Sequence, residues 1–262
     1  MEIKILGAHC LESVNTRLTS MVIDGVLALD AGGLTSGLSF VEQSELKAIL
    51  LSHQHLDHSK DIAFIGYYNA LRLVHDNSES KKVYSIAEVF ENLSAHLLNG
   101  KIFPDFTSQF PWGTPPLQFC PIQPYEAVNV LGYGVKAIPT KHAVPSVGFA
   151  VTSPKGKTLF FTSDTGPDIS HCWEHVTPDL LIADVTSINE HSDRMALVGH
   201  LTPKLLKDVL VTFLETKGYL PPVVLIHLPP ELEEQVRQEV AQVSQELSTD
   251  IKLGYEGMVI PL

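Results

Sequence analysis

The sequence predicts one layered α+β domain. Three observations predict it. Short apolar, β-type runs and hairpin signals recur along the chain, with helical stretches between them and a long amphipathic stretch near the end. No linker-like or low-complexity tract divides the 262 residues. A chain of that length, 44% hydrophobic and 18% charged, can bury a core without staples and falls outside the disordered class. Residues 1–262 are therefore read as a single domain with one unusual insertion at 101–125.

Lys4 to Leu6 reads as a first strand. Leu18 to Ile23 and Val26 to Leu29 flank Asp24-Gly25, a pair suited to the positive φ angles of a two-residue hairpin turn. Lys47 to Ser52 is a short apolar run and reads as a buried strand. Ser59 to Val74 carries Ile62, Ile65, Tyr68 or Asn69, and Arg72 at helical spacing. Lys82 to Ile86 is a strand candidate, followed by a helix to about Leu98.

Residues 101–125 hold six prolines, four phenylalanines and Trp112. The reading is an aromatic, proline-rich loop, either a substrate wall or a packed surface excursion. Strands are then expected at Val128 to Ile138 around Gly132-Tyr133-Gly134, at Val147 to Ser153, at Lys157 to Thr162, at Asp179 to Val185 and at Val223 to His227. Thr202 to Lys217 reads as a helix with Thr202 as N-cap and Pro203 in its first turn. Glu231 to Leu247 is an amphipathic helix with Leu232, Val236, Val240, Val243 and Leu247 on one face.

Charge and cysteine content bound the function. The net charge of −12 argues against a large nucleic-acid footprint but not against a small anionic substrate, because bound metal ions reverse the sign locally. Cys10, Cys120 and Cys172 lack metal-ligand or disulfide-framework spacing. No apolar run approaches the ~20 residues of a membrane helix, and Met1 to Leu6 turns polar early for a secretory signal, so a cytoplasmic setting is expected.

The chemistry-bearing segment is His53-Gln54-His55-Leu56-Asp57-His58, placed between a buried strand and a helix. Residues two apart on an extended strand end project to one side, so His53 and His55 can share a metal ion. Asp57 and His58 follow and can hold a second ion nearby. Imidazole with carboxylate suits zinc, and also iron or manganese. Three further candidates lie at or just after β-type segments: His142, Asp164 and His227. Each is weak alone, and together with the first cluster they form a coherent set.

In this order the sequence resembles the metallo-β-lactamase superfamily: Leu29-Asp30-Ala31-Gly32, His53 to His58, His142, Asp164 and His227. The resemblance implies a four-layer αββα sandwich with mixed sheets and a dinuclear site between them. It implies that His53, His55 and His142 hold one divalent ion, that Asp57, His58 and His227 hold another, that Asp164 bridges both, and that Asp30 orders the metal loop. Asp57, the segments Ala183-Asp184-Val185-Thr186 and Gly199-His200-Leu201-Thr202-Pro203, and His142 to Gly148 look like the phosphodiesterase branch, which includes tRNase Z and the class II cyclic-nucleotide phosphodiesterases. The closer likeness is to the class II enzymes. Asp61 stands where the branch usually has glycine, and Pro229 where class II enzymes often have lysine.

The expectation is thus a metal-dependent phosphodiesterase acting on a small phosphodiester such as a 3′,5′-cyclic nucleotide, by attack of a hydroxide shared between two ions, most simply Zn²⁺. Asp57, His200 and Asp184 complete the catalytic set, with His200 as proton donor to the leaving group and Asp184 orienting it. The alternatives are a tRNase Z-like RNA 3′-processing endonuclease, which the absence of Lys and Arg between Lys101 and Lys136 disfavours, and a lactone or carboxylic ester hydrolase on the same metal site. The resemblance also implies a homodimer. His9, His75, His96, His171, His175 and His191 are left outside the site.

Overall fold

The computed structural model describes residues 1–76, 78–108 and 113–262. Phe110 and Trp112, part of the aromatic insertion, lie outside the described residues. The described strands are β1 (Glu2–Gly7), β2 (Ser20–Ile23), β3 (Leu27–Leu29), β4 (Ala48–Leu50), β5 (Lys81–Ser85), β6 (Leu117–Pro121), β7 (Ala127–Val130), β8 (Tyr133–Pro139), β9 (Val147–Thr152), β10 (Thr158–Phe161), β11 (Leu180–Asp184), β12 (Val223–Ile226), β13 (Ile251–Leu253) and β14 (Val259–Pro261). The helices are α1 (Leu34–Gly37), α2 (Phe40–Glu45), α3 (Leu56–Asp76), α4 (Ala87–His96), α5 (Ser192–Val198), α6 (Pro203–Lys217) and α7 (Glu233–Leu247).

The strands form two mixed sheets, ordered β14-β1-β2-β3-β4-β5-β6 and β13-β12-β11-β10-β9-β8-β7. In each sheet one half is antiparallel and the other parallel: β3 to β6 run parallel in the first, β10 to β13 in the second. The alternating faces of the second sheet explain its continuous apolar runs. Leu159 and Phe161 of β10, Ile182 of β11 and Val224 of β12 join the core between the sheets. Their neighbours Phe160, Leu181 and Leu225 point into a second core, packed under Leu206, Leu210 and Phe213 of α6 and Val236 and Val240 of α7. Ile62 and Ile65 of α3 and Val89, Phe90 and Leu93 of α4 cover the first sheet. The expected sandwich of two mixed sheets with helices is observed.

Asp24 (φ 47°) and Gly25 (φ 72°) make the expected hairpin turn. The later hairpin turns at Leu131 (φ 54°) and Gly132 (φ 91°), with Tyr133 and Gly134 already in β8.

Two expectations are corrected. The segment 101–125 is not all loop: Leu117–Pro121 is β6, paired parallel to β5 at the edge of the first sheet. An edge position tolerates Pro121, which lacks the donor that an interior strand needs. Phe106 is buried, Phe103 packs on Phe64 with ring centroids 5.3 Å apart, and Phe119 stacks on Phe90 at 4.2 Å. Those three rings are packing elements of the domain rather than a wall over the metal site. The helix read from Ser59 starts at Leu56, which places Asp57 and His58 in its first turn.

Candidate metal centre

The site is assembled where the parallel strands end, the edge at which open α/β sheets place their ligands. His53 to His58 follow β4, Asp164 follows β10, Asp184 ends β11 and His227 follows β12. His142 comes from the turn between β8 and β9, and His200 from the turn between α5 and α6. Asp30 (φ 56°), Ser163 (φ 55°) and His227 (φ 61°) all sit in the left-handed region just after strands. Non-glycine residues hold such angles at a cost of ~1–3 kcal/mol each, and they gather at functional sites.

The first group of donors is His53, His55, His142 and Asp164. His53 Nε2 and His142 Nε2 each lie 3.1 Å from His55 Nδ1, and both lie 3.8 Å from Asp164 Oδ2. The remaining ring nitrogens fix the tautomers. The Ser52 hydroxyl donates to Asp30 Oδ2 at 2.8 Å, so it accepts from His53 Nδ1 at 3.0 Å. His142 Nδ1 donates to the Gly199 carbonyl at 3.1 Å. Both Nε2 atoms therefore present lone pairs to the centre. Burial first, then the neighbouring imidazoles, lowers the pKa of His53 well below its ordinary value; burial also lowers those of His55 and His142. Neutral imidazoles are the ligating form.

The second group is Asp57, His58, Asp164 and His227. His227 Nε2 lies 3.0 Å from Asp57 Oδ2 and 3.5 Å from Asp164 Oδ2, and His58 Nε2 lies 3.2 Å from Asp164 Oδ1. Asp164 thus turns one oxygen to His58 and the other to His53, His142 and His227. His58 Nδ1 is tied to Asp30 Oδ2 at 2.7 Å, so Asp30 anchors His58 directly and His53 through Ser52. Burial opposes ionisation of Asp164, but the imidazoles of His227, His58 and His53 outweigh it and hold the carboxyl well below the usual range.

Beside these groups, His200 Nδ1 lies 3.2 Å from Asp184 Oδ2, and its ring stacks on His227 at 5.3 Å. Burial alone would lower the His200 pKa; the hydrogen bond and charge of Asp184 carry it above the ordinary value. Asp57, His55 and His200 retain solvent exposure, whereas His53, His58, Asp164 and Asp184 are buried. The site opens to solvent along that partly exposed side.

The donor set fits a pair of divalent ions. His58 Nε2 and Asp164 Oδ1 are buried 3.2 Å apart, and neither makes a well-formed hydrogen bond. The Nε2 atoms of His53 and His142 converge on Nδ1 of His55. Buried donors of this kind are satisfied by cations. Every sequence-predicted site residue, namely His53, His55, Asp57, His58, His142, Asp164, Asp184, His200 and His227, is brought into this one centre.

Sequence reasoning missed Thr186. Its hydroxyl donates to Asp184 Oδ2 at 3.1 Å and accepts from His227 Nδ1 at 2.8 Å, with His200 Nδ1 at 3.1 Å. This leaves His227 Nε2 as the ligating atom. A threonine two residues after an acidic strand end was the only signal for it. Thr186→Val, which keeps the shape and removes the hydroxyl, is expected to weaken metal affinity ~10–100-fold, read by competition with a chelating dye. Gly32 contributes by lacking a side chain: a Cβ there would meet the Asp57 carbonyl at 1.9 Å. Gly32→Ala should cost ~1–3 kcal/mol in denaturant unfolding and lower occupancy of the Asp57 group.

The excluded histidines stay apart. His9 is buried between Glu256 (2.7 Å) and Glu233 (3.2 Å). His75, His96, His171 and His175 are exposed, and His191 bonds Ser187. Burial pushes the Cys172 thiol up to about 12, which rules it out as a nucleophile near neutrality.

The family model for the beta-lactamase superfamily domain matches residues 22–228. Similar solved structures include the metallo-beta-lactamase fold protein YhfI from Bacillus subtilis, 17% identical, TM-score 0.79, covering 99% of each chain. Unliganded yeast PDE1 is 15% identical, TM-score 0.83, covering 100% of this chain and 99% of its own. The short form of human tRNase Z is 18% identical, TM-score 0.66, with the same coverage. At such identities the likeness is one of fold. No curated protein sequence matches the chain. With the matched span covering most of the chain, the chain belongs to the beta-lactamase superfamily.

Proposed function

We propose that the protein is a dinuclear-metal-dependent hydrolase of a small phosphodiester, of the size of a 3′,5′-cyclic nucleotide. The observation that supports it most is the shared carboxylate: Asp164 stands in both donor groups, with Asp57 completing the second and the His200–Asp184 pair alongside. When bound, two divalent ions, most simply Zn²⁺, supply Lewis acidity, lowering the pKa of water and offsetting phosphoryl charge.

The chain's own residues do the rest. His53, His55 and His142 would hold one ion and Asp57, His58 and His227 the other, with Asp164 common to both donor groups. Asp184 fixes His200 through Nδ1, so His200 presents Nε2 and holds there the proton that a leaving alkoxide requires. Burial of Asp164, His53 and His58 keeps competing water from the charged groups.

The fold likeness to both yeast PDE1 and human tRNase Z leaves the substrate to chemistry. A net charge of −12, with no Lys or Arg between Lys101 and Lys136, favours the small diester over precursor tRNA. Among the described residues no helix is long and apolar enough to cross a membrane. The test is a metal-loaded assay panel of cyclic AMP, cyclic GMP, an aryl phosphodiester, a precursor tRNA and a lactone. Turnover of the cyclic nucleotides or the aryl diester above the others supports the reading. Turnover of the tRNA or lactone alone overturns it.

A further inference from the structure

A second polar cavity lies at the other end of the first sheet. The parallel strands deliver their C-terminal ends to the metal centre; Lys47, Lys81 and Lys82 mark the opposite ends of β4 and β5. From Lys47 to His53 the extended chain spans ~20 Å, at ~3.3 Å per residue. Helix α3 runs back from the metal centre, carrying Asp57 in its first turn and Arg72 toward its far end. Substrate seated on the metal ions does not reach this place.

The cavity has a volume of about 370 Å³ and is lined by Lys47, Arg72, Lys81 and Lys82, with Glu79 the one acidic side chain. Four of the chain's 18 basic residues therefore meet around one hollow in a protein of net charge −12. Lys81 is the informative one. It is only 5% exposed, and its ammonium donates to the carbonyls of Ser44 (3.0 Å) and Leu46. Arg72 donates to that same Ser44 carbonyl at 3.1 Å, which sets the guanidinium beside the ammonium. Among the described residues, Lys47, Lys81 and Lys82 have no carboxylate within ion-pair distance. Burial first, then the charges of Arg72 and Lys47, pulls the Lys81 pKa down to about 8. A buried cation without a counter-charge is costly, and like charges around it add to the cost. The two carbonyls at the end of α2 give the ammonium hydrogen bonds but no counter-charge. Asn69, fully buried, borders the cavity with its Oδ1 unpartnered, a further polar group with unmet hydrogen-bonding capacity.

We propose that this cavity binds a phosphate-bearing small molecule, no larger than a mononucleotide, at a site separate from the metal centre. Clustered lysines match the several oxygens of a phosphate dianion better than a single carboxylate, which one cation would satisfy. The volume falls in the range of small-molecule sites.

The test is calorimetric titration of the metal-loaded protein with inorganic phosphate, pyrophosphate and 5′-AMP, comparing wild type with K47E/K82E. Lys47 and Lys82 are exposed, so the double variant folds. Metal ions also bind phosphate, so the readout is the number of independent sites. Wild type should show a class of site that the variant lacks or binds at least ten-fold more weakly, with hydrolysis of the test diester unchanged in the absence of added anion. Preference for 5′-AMP at that site identifies a nucleotide ligand, and equal binding of pyrophosphate identifies the inorganic anion; both support the proposal. A single class of site in wild type, or two classes retained in K47E/K82E, overturns it. The result stands whichever diester the metal centre hydrolyses.

Discussion

Asp164→Asn is expected to empty both metal positions at once and to lower kcat/KM by more than the ~10–100-fold typical of losing an outer hydrogen-bond partner of a metal ligand. The reason is geometric. Oδ2 of Asp164 is within 3.8 Å of His53 and His142 and within 3.5 Å of His227, while Oδ1 is 3.2 Å from His58. No other side chain belongs to both ligand groups. Asparagine keeps the volume but offers a weaker neutral oxygen and an N–H₂ group that repels a cation. Metal content by plasma mass spectrometry should fall from two ions per chain toward none. Retention of one full equivalent would show that the two positions are independent and that Asp164 is not shared.

The same substitution has a signature without metal. Asp164 has a folded pKa well below its unfolded value, so in the metal-free chain it contributes stability that is present above the unfolded value near ~4 and lost as pH falls toward the folded pKa. Acid unfolding of metal-free Asp164→Asn should lack that contribution, leaving a shallower loss of stability below pH ~4.

His200→Ala should retain both ions yet lose ~10²–10⁴-fold in kcat on substrates with alkoxide leaving groups. An aryl phosphodiester, whose phenolate leaves without a proton, should be hydrolysed at nearly the wild-type rate. His200 belongs to this role by position. Its Nδ1 is held by Asp184 at 3.2 Å, its pKa is raised, and it lies beside His142 and His227 in a third cluster with Asp164, Asp184 and His227, outside the two groups assigned to the ions. The wild-type rate on the alkyl substrate should fall as pH climbs past the His200 pKa, because the donor form is lost; the variant should lack this limb. Equal losses on both substrate types, or loss of metal, would remove His200 as the proton donor.

Much of the fold was legible because the strongest signals are local. β4, β10, β11 and β12 are apolar runs buried on both faces, and α6 announces itself with Thr202 as N-cap and Pro203 behind it. Elements that depend on a distant partner were not legible. β6 sits amid prolines and exists because β5 offers it an edge. β14 has three residues and is held by β1 from the other end of the chain. β13 likewise leans on β12. Their hydrogen bonds are non-local, so no short window of sequence carries them.

The sequence by itself determined which side chains are chemically capable of ligation, since His53 to His58 are neighbours along the chain and their spacing sets a shared direction at a strand end. Only the tertiary structure decided that His142, Asp164 and His227 meet them, that Thr186 and Ser52 select which ring nitrogens face the centre, and that Lys81 lies buried among other cations. Spacing is a property of the covalent chain. Convergence, tautomer and uncompensated charge depend on which groups the two sheets bring together, and on the low dielectric that their packing creates around them.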